Sequence, residues 1–173
     1  MRLPLIVASL FITACGPITF STSLKGDATI QGSVVGQLLS NFPQAASFAN
    51  VDFSQNQDFK NNNTSRDKVK SMKVTALTLK ITSPNSQDFS FLDSLQFDVK
   101  AAGKQQKIAS KTGIAALGLA APNPTLTLDL VDTDLGEYVR ASDFSIVTSG
   151  NGRQPAQDTK LEINVEFLVG VGL

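Results

Sequence analysis

Apolar and polar residues alternate with a period of two through most of this 173-residue chain. Val74, Ala76, Leu77, Leu79 and Ile81 lie in MKVTALTLKIT, a run rich in β-branched residues that Pro84-Asn85 stops. Leu95, Phe97 and Val99 alternate with Gln96, Asp98 and Lys100 across Ser94 to Ala101. Ala102-Gly103 and a return strand at Gln105 to Ser110 complete a hairpin. Thr125 to Val131 and Asp143 to Thr148 repeat the alternation. Leu161 to Val171 puts Leu161, Ile163, Val165 and Phe167 on one face, and Thr29 to Val35 reads as a weaker strand.

No stripe of period 3.6 separates these runs, so crossover helices and a parallel sheet are not expected. Two short helical turns are expected, one within Val34 to Asn41 and one at Thr64 to Lys70, where Thr64 or Ser65 is the N-cap. The pattern predicts an all-β fold: an antiparallel, immunoglobulin-like β-sandwich of about seven strands over residues 27–173. Eleven Phe against one Tyr and no Trp supply aromatic bulk with few polar handles, which suits burial. Phe89, Phe91 and Leu92 are expected to close one end of the sandwich; the other reading is an exposed apolar patch.

The first sixteen residues break the pattern. Met1-Arg2 brings a positive charge, and Leu3 to Ala14 is an apolar run too short to span a bilayer, which needs about 20 helical residues. It ends in Ile12-Thr13-Ala14-Cys15, with small residues before a cysteine whose thiol accepts a diacylglyceryl group. This segment resembles a bacterial lipoprotein signal with its lipobox. The resemblance implies a signal peptide at 1–14, cleavage before Cys15, and lipid attachment at Cys15. Residues 15–26 would then be the lipidated N-terminus and a tether, since the stretch is rich in Pro, Ser and Thr. Two or three acyl chains give stable anchoring where one does not. Gly16 after the cysteine implies, by the enteric sorting rule, the outer membrane of a bacterial cell envelope. An ordinary secretory signal with an incidental cysteine is the other reading.

Composition narrows the chemistry. The chain has no His, and its single Cys is Cys15, which removes Ser-His-Asp and Cys-His catalysis, imidazole metal ligands and an internal disulfide. Fifteen basic and fifteen acidic residues argue against a nucleic-acid partner. Gly150-Asn151-Gly152 reads as a turn with no helix after it, so no nucleotide site is expected. Ser65-Arg66-Asp67-Lys68 has Ser-x-x-Lys spacing but lies in a short charged turn. Asp132, Asp134 and Glu137 offer oxygen ligands to Ca²⁺, although without the later bidentate Glu of an EF-hand. A solvated turn with Leu135 packed inward is the preferred reading, so no metal is assigned. Asn50 to Asp67, dense in Asn and Asp, is a polar loop or a recognition loop.

Leu77 to Ser110 also resembles the late-embryogenesis-abundant, water-stress type of β-sandwich domain. Ser83-Pro84-Asn85 matches its first turn, Gly103 its second and Ile108-Ala109-Ser110 its closing strand. That resemblance implies a sandwich and a lipid-contacting or protective role. Together these features lead to an envelope lipoprotein acting as a non-enzymatic binding or structural module. It would have no cofactor beyond the lipid on Cys15, a membrane contact through that lipid, and an envelope protein as a possible partner. The alternative is a lipid- or small-ligand-binding carrier with a pocket between the sheets.

Overall fold

In the computed structural model, residues 18–39 and 41–172 are described; Cys15 and the signal segment lie outside them. Eight strands form: β1 (Ile18–Ile30), β2 (Val69–Ser83), β3 (Leu92–Ala101), β4 (Lys104–Thr112), β5 (Thr125–Thr127), β6 (Asp129–Leu130), β7 (Ser145–Gly152) and β8 (Thr159–Val171). They make two four-stranded antiparallel sheets, ordered β1-β8-β2-β5 and β6-β4-β3-β7. The all-β antiparallel sandwich is therefore what the chain forms. Within that class the winding sets the first and last strands side by side in one sheet.

The alternation in β8 works as the pattern predicts. Leu161, Ile163, Val165 and Phe167 are all buried, and Val169 and Val171 extend the row. Phe97 of β3 faces them from the second sheet, fully buried. At one end of the sandwich Phe53 meets Phe59, Phe144 and Phe167 with ring centroids 5.4, 5.1 and 6.2 Å away, and the last two contacts are edge-on. That geometry favours aromatic pairs beyond the area they bury. At the opposite end Phe89, Phe91 and Leu92 are buried, so they belong to the core and not to an exposed patch.

The structure corrects the expected local elements in several places. Residues 18–26 are not a tether: β1 starts at Ile18 and pairs with β8 in unbroken register from Ile18↔Val171 to Ile30↔Thr159. The expected strand at Thr29 to Val35 is only the end of β1. The inward residues of β1 include Thr22, Gly26 and Ala28, too small to print an apolar alternation. Gly26 has to be small, because a Cβ there would lie 2.7 Å from Ala45 Cβ and 3.0 Å from Phe48.

Of the turn expected within Val34 to Asn41, the described residues Val34 to Leu39 form no helix. Gly36 turns the chain at φ +59°, leaving Val34, Val35 and Leu38 exposed at 96%, 72% and 75%. Thr64 to Lys70 contains one 3-10 turn, Arg66–Lys68, preceded by Ser65 with no side-chain cap. The run Thr125 to Val131 divides at Leu128: β5 pairs with β2 in one sheet and β6 with β4 in the other. The polar stretch Asn50 to Asp67 is an end plug that inserts Phe53 and Phe59 into the core. Its turns are held by Asp52 accepting from Ser54 N and Asn56 accepting from Asp58 N, the latter opening α1 (Gln57–Asn61).

Candidate functional site

A polar groove lies on the outer face of the second sheet. Ala102 and Gly103, at φ +51° and +71°, close the two-residue β3–β4 turn and so fix the register of that pair. Asp143 braces the turn by accepting from Ala102 N at 3.0 and 3.1 Å. A bulge between Phe97 and Asp98 then shifts the pairing by one. Three cross-strand rungs result: Thr112–Ser94–Asn151, Ser110–Gln96–Ser149 and Lys107–Asp98–Val147. Apart from Val147, every outward residue of these rungs is polar.

The segment Asn41–Gln44 walls the groove along β7. Gln44 pins it by imitating a strand: Nε2 donates to Thr148 O at 2.6 Å, and Oε1 accepts from Thr148 N at 2.7 Å. The chain just before it, at Gln37 and Leu39, exchanges backbone bonds with Gln154 and Gly152. The edge of β7 is thus occupied. Gly150 keeps the wall close, since a Cβ there would lie 2.7 Å from Leu95 Cδ2 and 3.2 Å from Phe42 Cδ2. The groove is open to solvent and holds about 440 Å³.

Lys107 is the only charged residue of the lining; its cross-strand neighbour Asp98 is 5% exposed and lies outside it. Gln96 Nε2 donates to both Asp98 oxygens, at 3.1 and 2.9 Å. Thr148, paired with Phe97 and so turned to the inner face, is 7% exposed, and its Oγ1 has no hydrogen-bond partner among the described residues.

The residues singled out from sequence go elsewhere. Asp132 pairs with Lys73 Nζ at 2.7 Å, a contact that raises the lysine's pKa. Asp134 Oδ1 accepts from Met72 N and Gly136 N, both at 2.9 Å. Glu137 pairs with Lys104, whose hydrogen bond lowers the carboxyl's pKa. The three Ca²⁺ candidates therefore spend their oxygens on separate protein partners, with Leu135 buried beneath them. Among the described residues no group of three His, Cys, Asp or Glu side chains is placed to hold a metal. Ser65 and Lys68 meet no catalytic partner; the neighbouring Arg66 and Asp67 are 4.0 Å apart.

Gly150-Asn151-Gly152 is not a turn but the end of β7, and Gly150 and Asn151 line the groove. The groove itself was missed in the sequence. Its only sequence signal was the neutral polar outward set Ser94, Gln96, Ser110 and Ser149, which is ordinary for a half-exposed strand until register aligns it.

No family model and no curated protein matches the chain. Among solved structures it is similar to the decameric BFDV capsid protein, at 8% identity and TM-score 0.43, covering 91% of this chain and 100% of that one. The 60-mer BFDV capsid protein matches at 8% and TM-score 0.40, over 90% and 93% of the two chains. Desmodium yellow mottle tymovirus matches at 10% and 0.34, over 100% and 95%. Likenesses this distant leave the function of the chain to be argued from its own residues.

Proposed function

We propose that this chain is a lipid-anchored bacterial envelope protein, a non-enzymatic binding module held at the outer membrane through Cys15. The observation that carries this reading is the position of β1. It begins at Ile18, three residues beyond Cys15, so the anchor and the sandwich are at most about 11 Å apart along the chain. Ile18, Val171 and Val69 share one end of the first sheet, and that end is held near the lipid surface. The groove and the exposed Val34, Val35 and Leu38 lie toward the other end and are presented to a partner in the envelope.

Two features favour a module over a carrier and over an enzyme. The space between the sheets, where a carrier would hold its ligand, is filled by Phe97, Phe167, Leu79, Ile163 and Val165. The lining of the groove supplies no carboxylate, whereas carboxylate-based glycoside hydrolysis needs two. A nucleic-acid partner finds one cation there, Lys107.

The test is a Cys15→Ser variant expressed beside the unaltered chain. The unaltered chain is expected in the membrane fraction, shortened by its signal, and the variant unprocessed or released. A variant that is still processed and still partitions with membranes overturns the reading. Lipid found by mass spectrometry in the purified, delipidated domain would favour the carrier instead.

A further inference from the structure

We infer that the end of the sandwich nearest Cys15 docks on anionic phospholipid headgroups, so that the membrane sets the domain's orientation as well as its place. This rests on the lipid-anchor reading and names the surface that the anchored end meets.

One rung ends the first sheet: Ile18, Val171 and Val69 lie side by side. With at most about 11 Å of chain between Cys15 and Ile18, a lipid on Cys15 leaves this rung at headgroup depth.

Cations surround the rung. Lys68 is exposed, and its carbonyl accepts from Gly172 N at 3.2 Å, so it borders the end of β8. Lys70 is the extra residue of a bulge between Val69 and Ser71, which turns its side chain out of the pleat. That side chain lies over Gly172, where a Cβ would be 2.5 Å from Lys70 Cε. Arg140 is exposed and donates from Nη1 to Val69 O at 2.8 Å. Lys68, Lys70 and Arg140 have no carboxylate within 4.0 Å among the described residues.

The carboxylates close by are fewer. Asp67 is 4.0 Å from Arg66, Asp132 is paired with Lys73, and Asp134 accepts from Met72 N and Gly136 N. Five cations (Arg66, Lys68, Lys70, Lys73 and Arg140) thus stand against three carboxylates, and the Glu137–Lys104 pair beside them is neutral. Asp58 and Glu166 lie level with Ser21 to Ser23, about 10 Å or more along β1 and beyond the reach of screened charge. Ile18 and Leu168, 45% and 43% exposed, add aliphatic contact among the cations, a composition suited to a membrane interface. The far end has the opposite balance, with Asp88, Asp93 and Asp158 against Arg153 and Lys160.

The size of the effect fits orientation and not anchoring. Each net positive charge at an anionic surface is worth about fivefold in binding, so two give about 25-fold. That is too little to hold a free domain, and enough to orient one already tethered.

The test places the lipidated chain in nanodiscs of phosphatidylcholine, or of phosphatidylcholine and phosphatidylglycerol in equal parts, each with a paramagnetic headgroup lipid. Broadening of the Ser71, Gly170 and Gly172 amides is expected to rise about threefold or more in the anionic discs, with the Gly36 amide unaffected. Lys68→Glu combined with Lys70→Glu is expected to abolish the rise with thermal melting unchanged, since both side chains are exposed. Mass spectrometry of the same sample reads the lipid on Cys15. A chain without that lipid overturns the anchor reading and this inference with it. A lipidated chain whose broadening ignores phosphatidylglycerol, or keeps the rise in the double variant, overturns this inference alone.

Discussion

The two sheets use the same alternation to different ends. In the first, β1 and β8 pair over thirteen residues without a break, and seven alternate residues of β8 from Thr159 to Val171 face inward and are buried. Its outward positions are largely charged or otherwise polar, among them Lys160, Glu162 and Glu166, a composition that stays solvated and resists association. In the second sheet the strands are shorter, a bulge shifts the β3–β4 register, and the outward rungs are mostly neutral hydrogen-bonding groups walled by Asn41–Gln44. Burial on the inner faces cannot separate the two sheets; what points outward does. The first sheet is the scaffold, and the second carries the groove.

That contrast can be broken by substitution. Phe167→Ala, at the centre of the scaffold and edge-on to Phe53, should cost about 3–5 kcal/mol in denaturant unfolding. A cost near 1 kcal/mol would mean that β8 is not the organising strand. Gly152→Ala should come next, at about 2–3 kcal/mol, because its φ of +157° and a Cβ 2.9 Å from Leu92 Cα, against Phe91 O as well, leave no room for a side chain.

Gln44→Ala removes both bonds to Thr148 and should lose about 1–2 kcal/mol. The loss should be local: hydrogen exchange should rise at Thr148 and along the groove wall while β1 and β8 keep their protection. Uniform loss of protection in both sheets would show that wall and scaffold are one cooperative unit.

The smallest effect is acid-dependent. Ser90's hydroxyl and amide donate to Asp88 Oδ1 at 2.6 and 2.9 Å and hold that carboxyl below its usual 3.8. A depressed folded value means that the contribution is complete above about pH 4 and fades as pH falls through the lower folded value. Asp88→Ala should therefore cost a few tenths of a kcal/mol at neutral pH and nothing at strongly acid pH. An equal difference at both would assign the loss to backbone propensity instead.

The legibility of the fold followed the size of its inward side chains. β8 was readable because Leu, Ile, Val and Phe face the core at every second position. β1 was not, because Thr22, Gly26 and Ala28 do the same work against Ala45 and Phe48 with little apolar signal. Thr125 to Val131 read as one strand because periodicity reports a face and not a sheet, and the chain changes sheets at Leu128. In Asn50 to Asp67 the Asn and Asp content outweighed Phe53 and Phe59, the two residues that the core takes. The groove was unreadable for a further reason: its parts come from three strands and a wall, and only the bulged register brings Ser110, Gln96 and Ser149 abreast. Cys15 is the reverse case: its expected role rests on local chemistry alone, and the residue lies outside the described ones.

The central claim, a sandwich held to a membrane by a lipid on Cys15, is tested most directly by intact-mass and fragment mass spectrometry of the chain recovered from membranes. The account predicts a first residue of Cys15 carrying a thioether-linked diacylglycerol, followed directly by the sequence entering β1. A membrane-recovered chain that retains Met1, or one that begins at another residue with an unmodified Cys15, would contradict it.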